Sequence, residues 1–281
     1  MPPTSWRYSA LWKRRAYSRP RAPSDRSPGN CTSPNPRSTA TCGVSAAKQH
    51  NLPPRRFTRG LFSGGADEVV IEDMHGDGCN IDCALLPRDA RLLRGITHDI
   101  VGLTGIFDES YDGMLMVGFH DAASAPGNPT SHTMVSSHIF RLTVNGALWG
   151  EFEMYAHAAA YRGVPPLFAS GDEGMCAAAA RTVPGLLTVP TKSGHGYGVL
   201  TKTPELVREE IEGMMAESVA AAKTAVPPAL PEHFHVEVTY VHHYDAYGCS
   251  HYPGASLISP TTVAFDADDY GDVLRFFYFV I

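Results

Sequence analysis

From residue 57 onward the chain alternates short apolar runs with longer stretches of helical character. Phe57 to Gly65 reads as the end of a helix stopped by Gly64-Gly65. Glu68-Val69-Val70-Ile71-Glu72 follows as a short β-branched strand. Gly113-Met114-Leu115-Met116-Val117-Gly118 is apolar without alternation, as in a parallel strand covered on both faces. Phe140 to Val144 and Leu148 to Met154 flank Asn145-Gly146, a hairpin signal that puts Glu151 in the second arm. Ala156 to Tyr161 has helical composition, and Pro165 to Asp172 reads as a strand running into a loop. Glu173 to Arg181 and Pro204 to Thr224 read as helices, the second with Thr203 as N-cap and Pro204 in its first turn. Strands at 234–241 and 261–265 follow a Pro-rich joint, and a short helix or strand starts near Asp269. Strands alternating with helices give an α/β class: a three-layer, mostly parallel sheet core with a smaller C-terminal α+β region. The predicted division is a leader at 1–55, a catalytic region at 56–200 and a C-terminal region at 201–281.

Charge separates the leader from the body. Residues 1–60 hold 12 Lys and Arg against one acid, Asp25, a net +11; the remaining 11 bases face 28 acids, a net −17. The acidic body speaks against nucleic acid as a partner. Residues 1–55 are rich in Ser, Pro and Arg without a sustained period, so disorder is expected there. A basic, acid-poor leader suits a mitochondrial presequence, a phosphate-touching arm, or unrelated sequence standing before the true fold. No apolar run reaches membrane-spanning length, so no membrane span is expected. Six scattered cysteines, with one C-x3-C at Cys79 and Cys83, give no disulfide framework. Reduced thiols in the cytoplasm are the expectation.

Metal-competent residues sit at predicted strand ends, where open α/β sheets place their sites. His75 follows the 68–72 strand and His120 follows the 113–118 strand; with Glu151 they form a His, His, Glu set of the catalytic zinc kind. A second set, His233, His235, His242, His243 and His251, lies near the C-terminus. His132 stands in a Gly- and Pro-punctuated loop, where a neutral imidazole can serve as acid, base or oxyanion stabiliser. Each of these residues also serves as an ordinary hydrogen-bonded side chain, so only convergence in space distinguishes a site.

The ordered segments Ala66 to His75, Gly118 to Ser124, Ser131 to Met134, Asn145-Gly146 with Gly150-Glu151, Tyr161 to Glu173, and Tyr252 through Val263 resemble the D-aminopeptidase (DppA) family. The resemblance spans about residues 56–281. It implies a zinc metallo-aminopeptidase that cleaves short peptides, D-amino-acid peptides among them, with two zinc ions per chain. It also implies a ring-shaped homo-oligomer. By position it makes His75, His120 and Glu151 metal ligands and His132 catalytic. The family pattern further begins with a first strand carrying an Asp-x-Glu pair whose Asp bridges the metals. Residues 1–55 contain no such pair. One zinc or none, with impaired activity, is therefore expected; the alternative is a catalytically inactive relative acting as an oligomeric binding protein.

Overall fold

The structure, a computed structural model, describes residues 8–13, 39–43, 53–97 and 111–281. Its elements in chain order are β1 (Tyr8–Lys13), β2 (Thr39–Gly43), α1 (Pro53–Gly64), β3 (Glu68–Asp73), β4 (Ala90–Leu93), β5 (Tyr111–Phe119), β6 (Ile139–Val144), β7 (Ala147–Leu148), α2 (Glu151–Tyr161) and β8 (Pro166–Asp172). There follow α3 (Glu173–Thr182), β9 (Leu187–His195), β10 (Gly198–Thr201), α4 (Pro204–Ala221), β11 (Phe234–Tyr240), α5 (His243–Cys249), β12 (Ser256–Ser259), β13 (Thr262–Ala267) and α6 (Tyr270–Val280).

The apolar pattern of β5 sets the layers. Successive side chains of a strand point to opposite faces. Leu115 and Val117 join Phe57 and Leu61 of α1 and Met215 and Val219 of α4 on one side. Met114 and Met116 join Phe152 and Tyr155 of α2 and Met175 and Cys176 of α3 on the other. The sheet between these helices has the order β10-β9-β8-β5-β1-β2-β3-β4. The pairs β2–β3, β3–β4, β5–β8 and β8–β9 are parallel. Strand β1 runs antiparallel to its partners, and β10 to β9. The expected three-layer, mostly parallel core is present.

Disorder was expected throughout 1–55, yet Tyr8–Lys13 and Thr39–Gly43 are strands of this sheet. Tyr8, Leu11 and Trp12 favour strand, and pairing with β3 and β5 satisfies the backbone of β1. The rest of the leader lies outside the described residues.

A second, antiparallel sheet has the order β12-β13-β11-β6-β7, with strands from both sides of residue 200. Helix α6 packs on it, Phe276 stacking on Phe265 at 4.6 Å between ring centroids. Helix α2 lies between the two cores. Phe152, Tyr155, Ala156 and Ala159 face the large sheet, while Met154 and Ala158 face the small one.

The Asn145-Gly146 hairpin is as expected, with positive φ at both residues. Its second arm is not: β7 stops at Leu148, and Glu151 opens α2 instead of sitting in a strand. Half of a capping box marks the helix start: the Glu153 carboxylate accepts the Gly150 N–H at 2.8 Å, and glycine has no side chain to return the bond. Hairpin β9–β10 and helix α5 had no counterpart in the sequence pattern.

Candidate metal centre

Strand β5 delivers His120, the residue after its last, into a buried position. The chain then loops back so that the ring of His132 stacks on that of His120, with centroids 4.0 Å apart and planes 24° apart. Glu151, at the start of α2, is 1% exposed and points Oε1 to within 3.8 Å of His120 Nε2. One ligand atom from each of His120, His132 and Glu151 lies within 4.8 Å of the other two. No other group of three such donors comes this close among the described residues.

The hydrogen bonds behind these side chains fix their tautomers. His120 Nδ1 is 2.9 Å from the Asp121 carbonyl, and His132 Nδ1 is 2.8 Å from the Thr130 carbonyl. A carbonyl oxygen only accepts, so in each neutral ring Nδ1 carries the proton and donates. Nε2 is left with its lone pair, the arrangement that orients a ligand histidine. Glu151 sits in the first turn of a helix, where the dipole favours a negative charge. Its Oε1 accepts the Met134 N–H at 2.7 Å. Two imidazoles and one carboxylate, largely removed from water, fit a zinc-type ion with a fourth position left open.

The connecting loop is held under strain. Ser124 and Met134 both have left-handed backbones, φ 66° and 56°, at a cost on the order of 1 kcal/mol each. The Ala123 N–H donates to Thr133 Oγ1 at 3.0 Å and closes the loop. Burial first, and the neighbouring Asp172 second, push the Asp121 carboxyl up to about 6, while Lys192 opposes them. Burial raises Glu153 as well.

His75 was expected to join His120 and Glu151; His132 stands in the group instead. In the sheet, β1 pairs with both β3 and β5 and separates the strand ends that carry His75 and His120. Asp73 organises the turn of His75: its carboxylate accepts the backbone N–H groups of His75, Asn80 and Ile81. Beside it, Glu72 is fully buried, with Oε2 lacking a hydrogen-bond partner among the described residues. Burial first, then the charge of Asp73, push Glu72 up to about 8.

The rival C-terminal histidines go elsewhere. His233 is exposed and His235 half-buried; they pair with Asp266 and Asp268, whose hydrogen bonds raise their pKa values. His242 and His243 begin α5. Asp172, Asn128 and Lys192, which line the back of the loop, were not singled out in the sequence. Asp172 stands between a strand and a helix, where an Asp reads as an N-cap.

Residues 54–279 match the model of peptidase family M55, D-aminopeptidase. The chain belongs to the D-aminopeptidase family. It is 26% identical over 214 residues to the D-aminopeptidase of Bacillus subtilis (strain 168), spanning 74% of this chain and 76% of that protein. Its fold is similar to that of the Zn-dependent D-aminopeptidase DppA from Bacillus subtilis, a self-compartmentalizing protease. The TM-score is 0.74 at 21% identity, covering 82% of this chain and 84% of the other. The D-aminopeptidase match takes in α1 and all that follows up to residue 279, so both histidines and the glutamate of the group fall inside it. Strands β1 and β2 fall outside it.

Proposed function

We propose that this D-aminopeptidase family member is a zinc-dependent aminopeptidase acting on short peptides with D-residues, its zinc held by His120, His132 and Glu151. The observation that carries the reading is the convergence of three buried donors inside the matched span. Zinc, when bound, supplies Lewis acidity. The chain supplies the rest. Backbone carbonyls hold the Nδ1 protons of both histidines, so their Nε2 lone pairs would hold the ion. Glu151 brings the charge that partly neutralises it, and the Met134 N–H keeps that carboxylate aimed.

Family resemblance divides the roles differently, with His75 as ligand and His132 as the catalytic group. Zinc titration of His75→Ala and His132→Ala separates the two. Weak binding in His132→Ala with normal binding in His75→Ala supports the assignment from geometry; the reverse pattern refutes it. For activity, the zinc-loaded chain is offered D- and L-aminoacyl amides. Turnover that vanishes in His120→Ala is the expected result.

A second reading is a relative that keeps the fold and the assembly without hydrolysis. It draws on the single acid, Asp25, among residues 1–55, which leaves no Asp-x-Glu pair there. Full zinc loading with no turnover on the panel would select it. Both readings carry over an oligomeric assembly from the self-compartmentalizing relative, and sedimentation measures it, a ring-shaped homo-oligomer being the form the family resemblance implies.

A further inference from the structure

We propose that Asp172, the last residue of β8, is the positioning residue of this centre, tying together through one carboxylate oxygen the two stretches of loop that carry His120 and His132. The inference rests on the reading of those histidines and Glu151 as a metal centre. Strand β8 lies beside β5, so Asp172 rises next to the point where His120 leaves the sheet. Its Oδ2 accepts the backbone N–H of Asp121 at 3.0 Å and the side-chain amide of Asn128 at 2.7 Å.

Each of these two bonds leads to one ring. Asp121 is the residue whose carbonyl holds His120 Nδ1. Asn128 shapes the turn before His132: its Oδ1 accepts the N–H and the hydroxyl of Thr130, both at 3.0 Å, and its carbonyl accepts the Ser131 N–H at 2.9 Å. Thr130 in turn supplies the carbonyl that holds His132 Nδ1. The orienting groups of both rings therefore hang from the same oxygen atom.

A second observation separates this role from that of a helix cap. Asp172 is the N-cap residue of α3, yet its side chain makes no capping hydrogen bond. An N-cap Asp normally accepts from the first turn of its own helix, a contact worth about 1 kcal/mol. Here the carboxylate turns back toward the loop instead. Its other oxygen, Oδ1, faces Lys192 Nζ of β9 at 3.2 Å. With the carboxylate 2% exposed, an unpaired charge would be costly, and Lys192 offsets it.

The test uses the full chain with isotope-labelled histidine. Ring spectra are recorded without metal, and zinc affinity is then measured against a chromophoric chelator. His157 is the internal control: it is buried, stacked on Trp149 at 4.3 Å, and held by the Glu153 carbonyl inside α2. In Asp172→Ala the His120 and His132 signals are expected to shift and broaden, and in Asn128→Ala the His132 signal, while His157 stays in place. Zinc affinity is expected to fall roughly 10- to 100-fold, the usual effect of losing a group that orients a ligand. Asp172→Asn keeps an oxygen that accepts the same two N–H groups, so it should hold the ring signals and most of the affinity.

If Asp172→Ala does not fold, Asn128→Ala decides, since it removes only the loop's side of the tie. Unmoved His132 ring signals in Asn128→Ala overturn the proposal. So does a shift of His157 in step with them, which marks general loosening. Should the wild type bind no zinc, the metal reading falls on its own, and the ring spectra still decide the role of Asp172.

Discussion

Two backbone carbonyls, those of Asp121 and Thr130, bear on what His120 and His132 can do, because each holds the proton on Nδ1 and leaves the lone pair on Nε2. Glu72 presents the opposite case, a carboxyl whose environment opposes its charge. Its pKa rises from 4.5 to about 8 because it is buried and Asp73 lies beside it. Between those pH values the folded chain keeps a proton that the unfolded chain releases. Folding stability of the metal-free protein therefore falls as pH rises from 4.5 to about 8, and the penalty is complete above that. Glu72→Gln removes this titration. Urea unfolding should show the variant more stable than wild type at pH 9 and no more stable at pH 4.5; an equal gap at both would discard the idea. At this scale the sequence pointed to His120 and Glu151 by residue type and by the strand end before His120. It grouped His75 rather than His132 with them, because the path of the loop after His120 leaves no local pattern in the chain.

Among the elements, the loop from His120 to Ile139 is pressed against β9 where two glycines meet. A Cβ on Gly194 would lie 1.9 Å from the Gly127 carbonyl oxygen. Gly194→Ala must displace the strand or the loop, at a cost of about 1–3 kcal/mol, and weaker zinc binding should accompany it. Gly213 within α4 has nothing within 4 Å of a built Cβ. Gly213→Ala should instead stabilise by about 0.5–1 kcal/mol, because alanine loses less backbone entropy in a helix. Chemical denaturation of the pair checks both signs. Helix α4, with Thr203 accepting the Leu206 N–H, was readable from its cap and first-turn proline. The start of α2 was misread because Asn145-Gly146 signals a hairpin more loudly than Gly150 and Glu153 signal a cap.

Across the whole molecule, α2 joins the two cores. Every residue from Glu151 to Ala159 is buried, so the helix that carries Glu151 also completes both hydrophobic clusters. Among the described residues no helix is long and apolar enough to cross a membrane. Ligand binding to the native state alone should therefore be felt by the entire fold. Zinc at about 100 times its dissociation constant is expected to stabilise the chain by about 2.7 kcal/mol, raising the thermal midpoint by roughly 5–11 °C at about 2–4 °C per kcal/mol for a chain of this size. His120→Ala should abolish that rise. A midpoint indifferent to zinc in the wild type would count against a metal centre in this place.

What the sequence determined by itself was local or periodic. The unbroken apolar run of β5 specified a strand covered twice, Thr203-Pro204 a helix start, Asn145-Gly146 a turn, and the ordered motifs a family. Each depends on residues a few positions apart, where backbone sterics and burial act directly. Tertiary structure alone decided which side chains share the centre. His120, His132 and Glu151 meet because β5, its strained loop and the start of α2 converge between two sheets. Such convergence is set by strand order and by single long-range hydrogen bonds such as those of Asp172, for which no period in the chain provides a signal.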